Sequence, residues 1–310
     1  MGTRSRFVAT TLLVLIALGG AGLTVAADRQ QTPDQRSEVM WAADQAAQPW
    51  IATLSTDLTA IDTAATALSK AGRDTLGNLQ GLVVDKTRSA MVDGDGALTT
   101  LSTAIAGLQA DQAQANAHIE RWRLGPETSA QMDALDAAVD AVADLGPQWT
   151  RIKTRATVVA QLLDDLAQHD SQVFRATTAG RQGLWADALN DLDAAASSLS
   201  DAGTVRDQLA GVATIDTLDD LLSRDGAYDS ALGALYEYTG SGGAQSGAQF
   251  DMLQGAVQTA QSALPSNNRA LSVIVGEAAG TELSDALAAL EHDRGAINDA
   301  LDSTSGGASQ

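Results

Sequence analysis

The chain has 310 residues, with 39 acidic against 19 basic side chains, a net charge of −20 and no cysteine. Without cysteine there is no disulfide framework, no thiol catalysis and no cysteine-ligated metal, so packing alone must hold the fold. The acidic balance disfavours phosphate backbones, which excludes nucleic acid as a partner, and it favours a well-solvated surface.

Residues 1–27 carry the strongest local signal. Arg4 and Arg6 precede a stretch of 21 residues, Phe7 to Ala27, without a charged side chain. Leu12, Leu15 and Leu18 belong to its apolar body, and Val25 and Ala27 fit the small-residue pattern of a cleavage site before Asp28. As a helix the stretch would be ~32 Å long, against a bilayer core of ~30 Å. Two readings stand: a retained signal anchor, favoured by the length of the uncharged run, or a signal peptide cut after Ala27. In both, the basic flank stays inside and the other 283 residues are exported. The membrane is a partner if the segment stays uncleaved.

Residues 28–48 read as a polar linker and a short helix, with one proline among Asp28 to Ser37. From 49 to 180 the apolar period is helical. Leu54, Leu58, Ile61, Ala65 and Leu68 form a seam of alternating steps of four and three, as in a coiled coil, and Pro49 suits the first turn of that helix. Asp93 to Gly96 reads as a turn. Leu98, Leu101, Ile105 and Leu108 make a second seam. Gly125 with Pro126, and Gly146 with Pro147, each read as the end of one helix and the start of another. Four long helices joined by short turns predict an antiparallel bundle. Leu271 to Val275 is the one strand-like run; with no partner strand it is read as the core of a helix.

Residues 181–302 predict shorter helical hairpins. A pattern of Gly183, Trp185, Ala188 and Leu192 is echoed 43 residues later by Gly226, Tyr228, Ala231 and Leu235. Leu283, Ala286, Leu287 and Leu290 repeat it without the aromatic. About a dozen residues per copy resemble the second helix of a tetratricopeptide repeat, although the period is 43 and the first-helix signature is missing. That resemblance implies stacked hairpins with a concave, peptide-binding face. Gly240 to Gly247 reads as a flexible loop, Pro265 to Asn268 as a turn, and 303–310 as a disordered tail. Trp185 and Tyr228 are expected in the core, and Tyr236 and Tyr238 as an interaction surface.

Few residues carry recognisable chemistry. His118 beside Glu120, and His169 beside Asp170, are each half of a metal or acid–base site, but the three histidines, His292 included, are far apart in sequence and read as solvated helix residues. Asp93 to Gly96 resembles part of a calcium loop, but placing Gly96 at the loop's invariant glycine puts Met91 and Ser102 where acidic ligands belong. The pairs Asp164 with Asp165, and Asp219 with Asp220, read as solvated helix faces. No cofactor or metal is expected. The chain is expected to be an all-α, non-enzymatic cell-envelope protein presenting a helical surface to a protein or cell-wall partner. The runner-up is a sensor-like ectodomain working with a separate signalling partner; an enzyme is the third reading.

Overall fold

A computed structural model describes residues 33–210, 215–265 and 267–305. The segment read as an export signal, Arg4, Arg6, Phe7, Leu12, Leu15, Leu18, Val25 and Ala27 included, lies outside them, as do the last five residues. Among the described residues the chain is all-helical, without a strand. Seven α-helices follow one another: α1 (Pro33–Gln80), α2 (Val84–His118), α3 (Pro126–Arg181), α4 (Trp185–Ala210), α5 (Asp216–Gly240), α6 (Ala248–Ala263) and α7 (Asn267–Ser305), with a 3-10 turn, Arg121–Arg123, between α2 and α3. None of these helices is long and apolar enough to cross a membrane.

Up to residue 181 there are three long helices, not four, and the expected joints move. Pro49 and Pro147 lie inside α1 and α3. Proline in a helix leaves the carbonyl four residues earlier without its backbone donor. Here those residues are Gln45 and Ala143, both exposed like the prolines themselves, so water can serve the freed carbonyls. The apolar phase also runs through the second site without a break: Val142, Leu145, Trp149 and Ile152 are all buried. Proline does open α1 and α3, at Pro33 and Pro126, where a missing N–H is harmless. The linker read over residues 28–37 therefore gives way to helix at Pro33, and the tail read from 303 is helical as far as Ser305.

Asp93 to Gly96 is not a turn but the interior of α2. The buried positions Thr87, Gly94, Leu101, Leu108 and Ala115 recur every seven residues and carry one face through it. The reversal occurs instead at Gly81 to Val83, where Leu82 takes a left-handed conformation with φ 57°. The N–H of Val83 donates to the Asn78 carbonyl at 2.9 Å, closing the end of α1.

The described residues form two compact units. One comprises the residues up to Thr59, Ile105–Val139 and those from Asn298. The other comprises Ala60–Ala104 and Asp140–Ile297. The partition falls within α1, α2, α3 and α7, and differs from the 49–180 and 181–302 blocks read from composition. In the larger unit α4 packs on α5 and α5 on α6. The echo between residues 183 and 226 is not structural: Gly183 sits in the turn before α4 with φ 74°, whereas Gly226 lies within α5. Leu271 to Val275 is helical, with Ile274 and Val275 buried.

Candidate functional site

The core-facing seam of α5 runs Leu218, Leu221, Asp225, Asp229, Leu232, Tyr236, in steps of three and four. Two carboxylates thus occupy positions that the period reserves for apolar side chains. On α3 the seam Leu162, Leu166, His169, Ala176 places a histidine among them. These two irregularities meet. His169 is 3% exposed, and its Nε2 lies 2.9 Å from Oδ2 of Asp229, itself 8% exposed. Nδ1 faces Oδ1 of Asp170 at 3.4 Å. Asp225, 9% exposed, lines a cavity of about 10 Å³ with Leu166, Asp170, Leu221 and Leu271. That space is on the order of one water molecule.

Charge explains the arrangement. Burial pulls the His169 pKa down, but the hydrogen bonds to Asp170 and Asp229 outweigh it and raise the value to about 9. The ring is therefore an imidazolium at neutral pH and donates from both nitrogens. Burial pushes Asp225 up to about 6, with Asp170 and Asp229 adding repulsion and His169 partly offsetting it. Tyr228 is raised by burial and then by the charge of Asp229. The Oδ1 oxygen of Asp229 is buried without a hydrogen-bond partner among the described residues. One cation thus faces three carboxylates.

The arrangement is that of a buried ion pair. A general base needs a free ring nitrogen aimed at a substrate, whereas both nitrogens of His169 are bound to carboxylates. Among the described residues no group of His, Asp and Glu has the geometry to hold a metal ion.

The reading of His169 as a solvated helix residue is corrected by its burial; its place on the seam three residues after Leu166 was the available signal. His118 ends α2 exposed, its ring stacked on Trp50 with centroids 5.4 Å apart. His292 is exposed on α7. Asp95, half of the calcium-like loop, accepts from Nε1 of Trp149 at 3.2 Å and from Nζ of Lys153 at 2.7 Å. The lysine hydrogen bond, opposed by burial, holds its carboxyl below the usual range. Asp164 pairs with Arg88, Asp219 with Arg206 and Asp220 with Arg224, as expected for solvated faces. Asp165 differs, raised by burial and by Asp201.

Tyr236 is corrected as well. It is 7% exposed, its ring centroid 5.8 Å from that of Trp185, in a cluster with Ala176, Ala188, Leu192 and Leu232. Gly180 makes room for it, since a Cβ there would lie 2.6 Å from the ring. Trp185 and Tyr228, each partly buried, pack against the same cluster. Tyr238 is half-buried, and its ring lies against Gly243 of the following loop.

The exposed aromatics are others. Phe174 on α3, in the larger unit, is 70% exposed, while Trp41 on α1 is 67% exposed and Trp122 in the 3-10 turn is 59% exposed. The two tryptophans belong to the smaller unit, at the end where the N–H of Gly125 donates to Oδ1 of Asp44 at 2.9 Å. A groove of about 470 Å³ there is lined on the α1 side by Val39, Ala42 and Ala46 and on the other by His118, Glu120 and Arg123. Comparison with protein-family models, with curated proteins and with solved structures gives no match for this chain.

Proposed function

We propose that this chain is an exported helical protein held at the outer face of a membrane, acting as a non-enzymatic scaffold for a protein or cell-wall partner. The observation that carries the reading is the run from Phe7 to Ala27, 21 residues without a charge behind Arg4 and Arg6. An acidic, cysteine-free, all-helical body after such a segment suits an exported domain that depends on packing, its long helices arranged as an antiparallel bundle. The best-formed cluster of titratable groups supports the non-catalytic part, because His169 commits both ring nitrogens to carboxylates.

Fractionation with protease shaving of intact cells tests this. The body should be in the membrane fraction, digested from outside, with an intact mass that includes residues 1–27. A protected, cytoplasmic chain would overturn export. A mature N-terminus at Asp28 would overturn the anchor while leaving export in place.

A further inference from the structure

We infer that the end of the smaller unit carrying Trp41 and Trp122 is an aromatic foot that rests in the headgroup region of the membrane, and this rests on the retained anchor proposed above. Among the described residues of that unit the exposed large apolar side chains are Met40, Trp41 and Trp122, all at one end. The Asp44–Gly125 hydrogen bond ties the first third of α1 to the chain just before α3, which places the 3-10 turn beside the start of α1. The groove, with alanines on its α1 side and His118, Glu120 and Arg123 opposite, joins the same segments.

The occupant follows from where the chain goes. The uncharged run ends at Ala27 and α1 begins at Pro33, six residues on. Six residues span at most ~20 Å even fully extended. Trp41 is eight residues along α1 from Pro33, a rise of ~12 Å. An anchored chain therefore cannot hold this end far from the bilayer. Tryptophan suits that depth, with an apolar body for the acyl boundary and an N–H for the headgroups. The two arginines beside Trp122 are paired: Arg121 with Asp136 at 2.5 Å, and Arg123 with Glu120 at 2.7 Å while lying 4.6 Å over the Trp122 ring. An aromatic foot whose neighbours are mostly acidic, Asp34, Glu38 and Glu127 among them, fits zwitterionic lipid, which carries no net charge to repel it.

The full-length chain reconstituted in phosphatidylcholine vesicles with brominated acyl chains tests this. Residues 1–32 contain no tryptophan, so all five tryptophan signals come from the body. Brominated lipid should quench part of the emission, and the double variant Trp41→Phe with Trp122→Phe should lose that quenching by about twofold or more. An unchanged thermal midpoint shows that the variant is folded. Flotation of the chain with the vesicles, but with quenching indifferent to both substitutions, would overturn the foot and leave the anchor standing. A chain that fails to float would overturn both.

Discussion

Two seats on α3 show opposite ways of burying an awkward side chain in a helical core. At Trp149 the solution is to remove atoms. The indole is fully buried, and a Cβ on Gly94 of α2 would overlap it. Its one polar atom reaches outward to Asp95, which Lys153 also holds. At His169 the solution is to add charge, with Asp170 and Asp229 on the two ring nitrogens and Asp225 close by. Subtraction gives a seat governed by shape and indifferent to pH between 5 and 8, where Asp95 stays ionised. Addition gives a seat whose contribution depends on protonation, and which leaves one carboxylate in excess of what the imidazolium can satisfy.

The largest expected effect is at the charged seat. His169→Ala leaves Asp229 and Asp225 buried without their cation, and breaking a buried pair in this way costs about 3–5 kcal/mol. The midpoint of thermal unfolding at pH 7, followed by circular dichroism, should fall by on the order of 10 °C. At pH 10, above the folded His169 pKa of about 9, the loss should be smaller, because the wild-type ring has then given up its proton and most of its contribution. An equal loss at both values would mean that the imidazole fills space and that its charge is immaterial.

The shape-governed seat comes next. Gly94→Ala forces the indole to move, an overpacking cost of about 1–3 kcal/mol that should not vary between pH 5 and 8. The comparison sharpens in a double-mutant cycle. With Trp149→Leu in place the clash disappears, and Gly94→Ala should become neutral or stabilising by up to about 1 kcal/mol, as alanine is the better helix former. If the substitution costs the same in both backgrounds, the glycine is needed for something other than the indole.

These seats also mark where the sequence could and could not be read. Leu54, Leu58, Ile61, Ala65 and Leu68 are buried as their period requires, because a helical face either meets a core or does not. Glycine and proline mislead. Gly94 reads locally as a turn residue, yet its role is to make room for a ring 55 residues away, and nothing local distinguishes the two uses. Pro147 reads as a helix end, although the unbroken step from Val142 to Trp149 argues for continuity. The charged seat is half legible. Asp225 and Asp229 interrupt an apolar seam on α5, and His169 interrupts one on α3, so each is anomalous alone. That the anomalies satisfy each other depends on which helices pack together, which periodicity does not specify. Tyr236 misleads for the converse reason: grouped with Tyr238 it reads as surface, while its place on the α5 seam puts it in the core.

The smallest effect isolates the surplus carboxylate. The folded state raises Asp225 to about 6 from an ordinary 3.8, so it favours the protonated form. Its ionisation costs nothing at pH values below the unfolded pKa, begins to cost as pH climbs towards 6, and costs in full above that. Asp225→Asn is neutral throughout and fits the same space. It should raise the unfolding midpoint at pH 7.5 by a few degrees, about 1 kcal/mol after allowing for the lost attraction to His169, and should give no gain at pH 4. His169 has the opposite sign. With a folded pKa raised to about 9, its contribution is complete below pH 6.5 and is lost as pH rises through 9. Removing one of its carboxylates lets the proton leave earlier, so in Asp225→Asn the alkaline loss should begin at lower pH, visible as a downward shift of the His169 titration by nuclear magnetic resonance. A gain in midpoint that is the same at pH 4 and pH 7.5 would show that the amide packs better than the acid, and the contrast between a seat made by shape and a seat made by charge would lose its footing at this position.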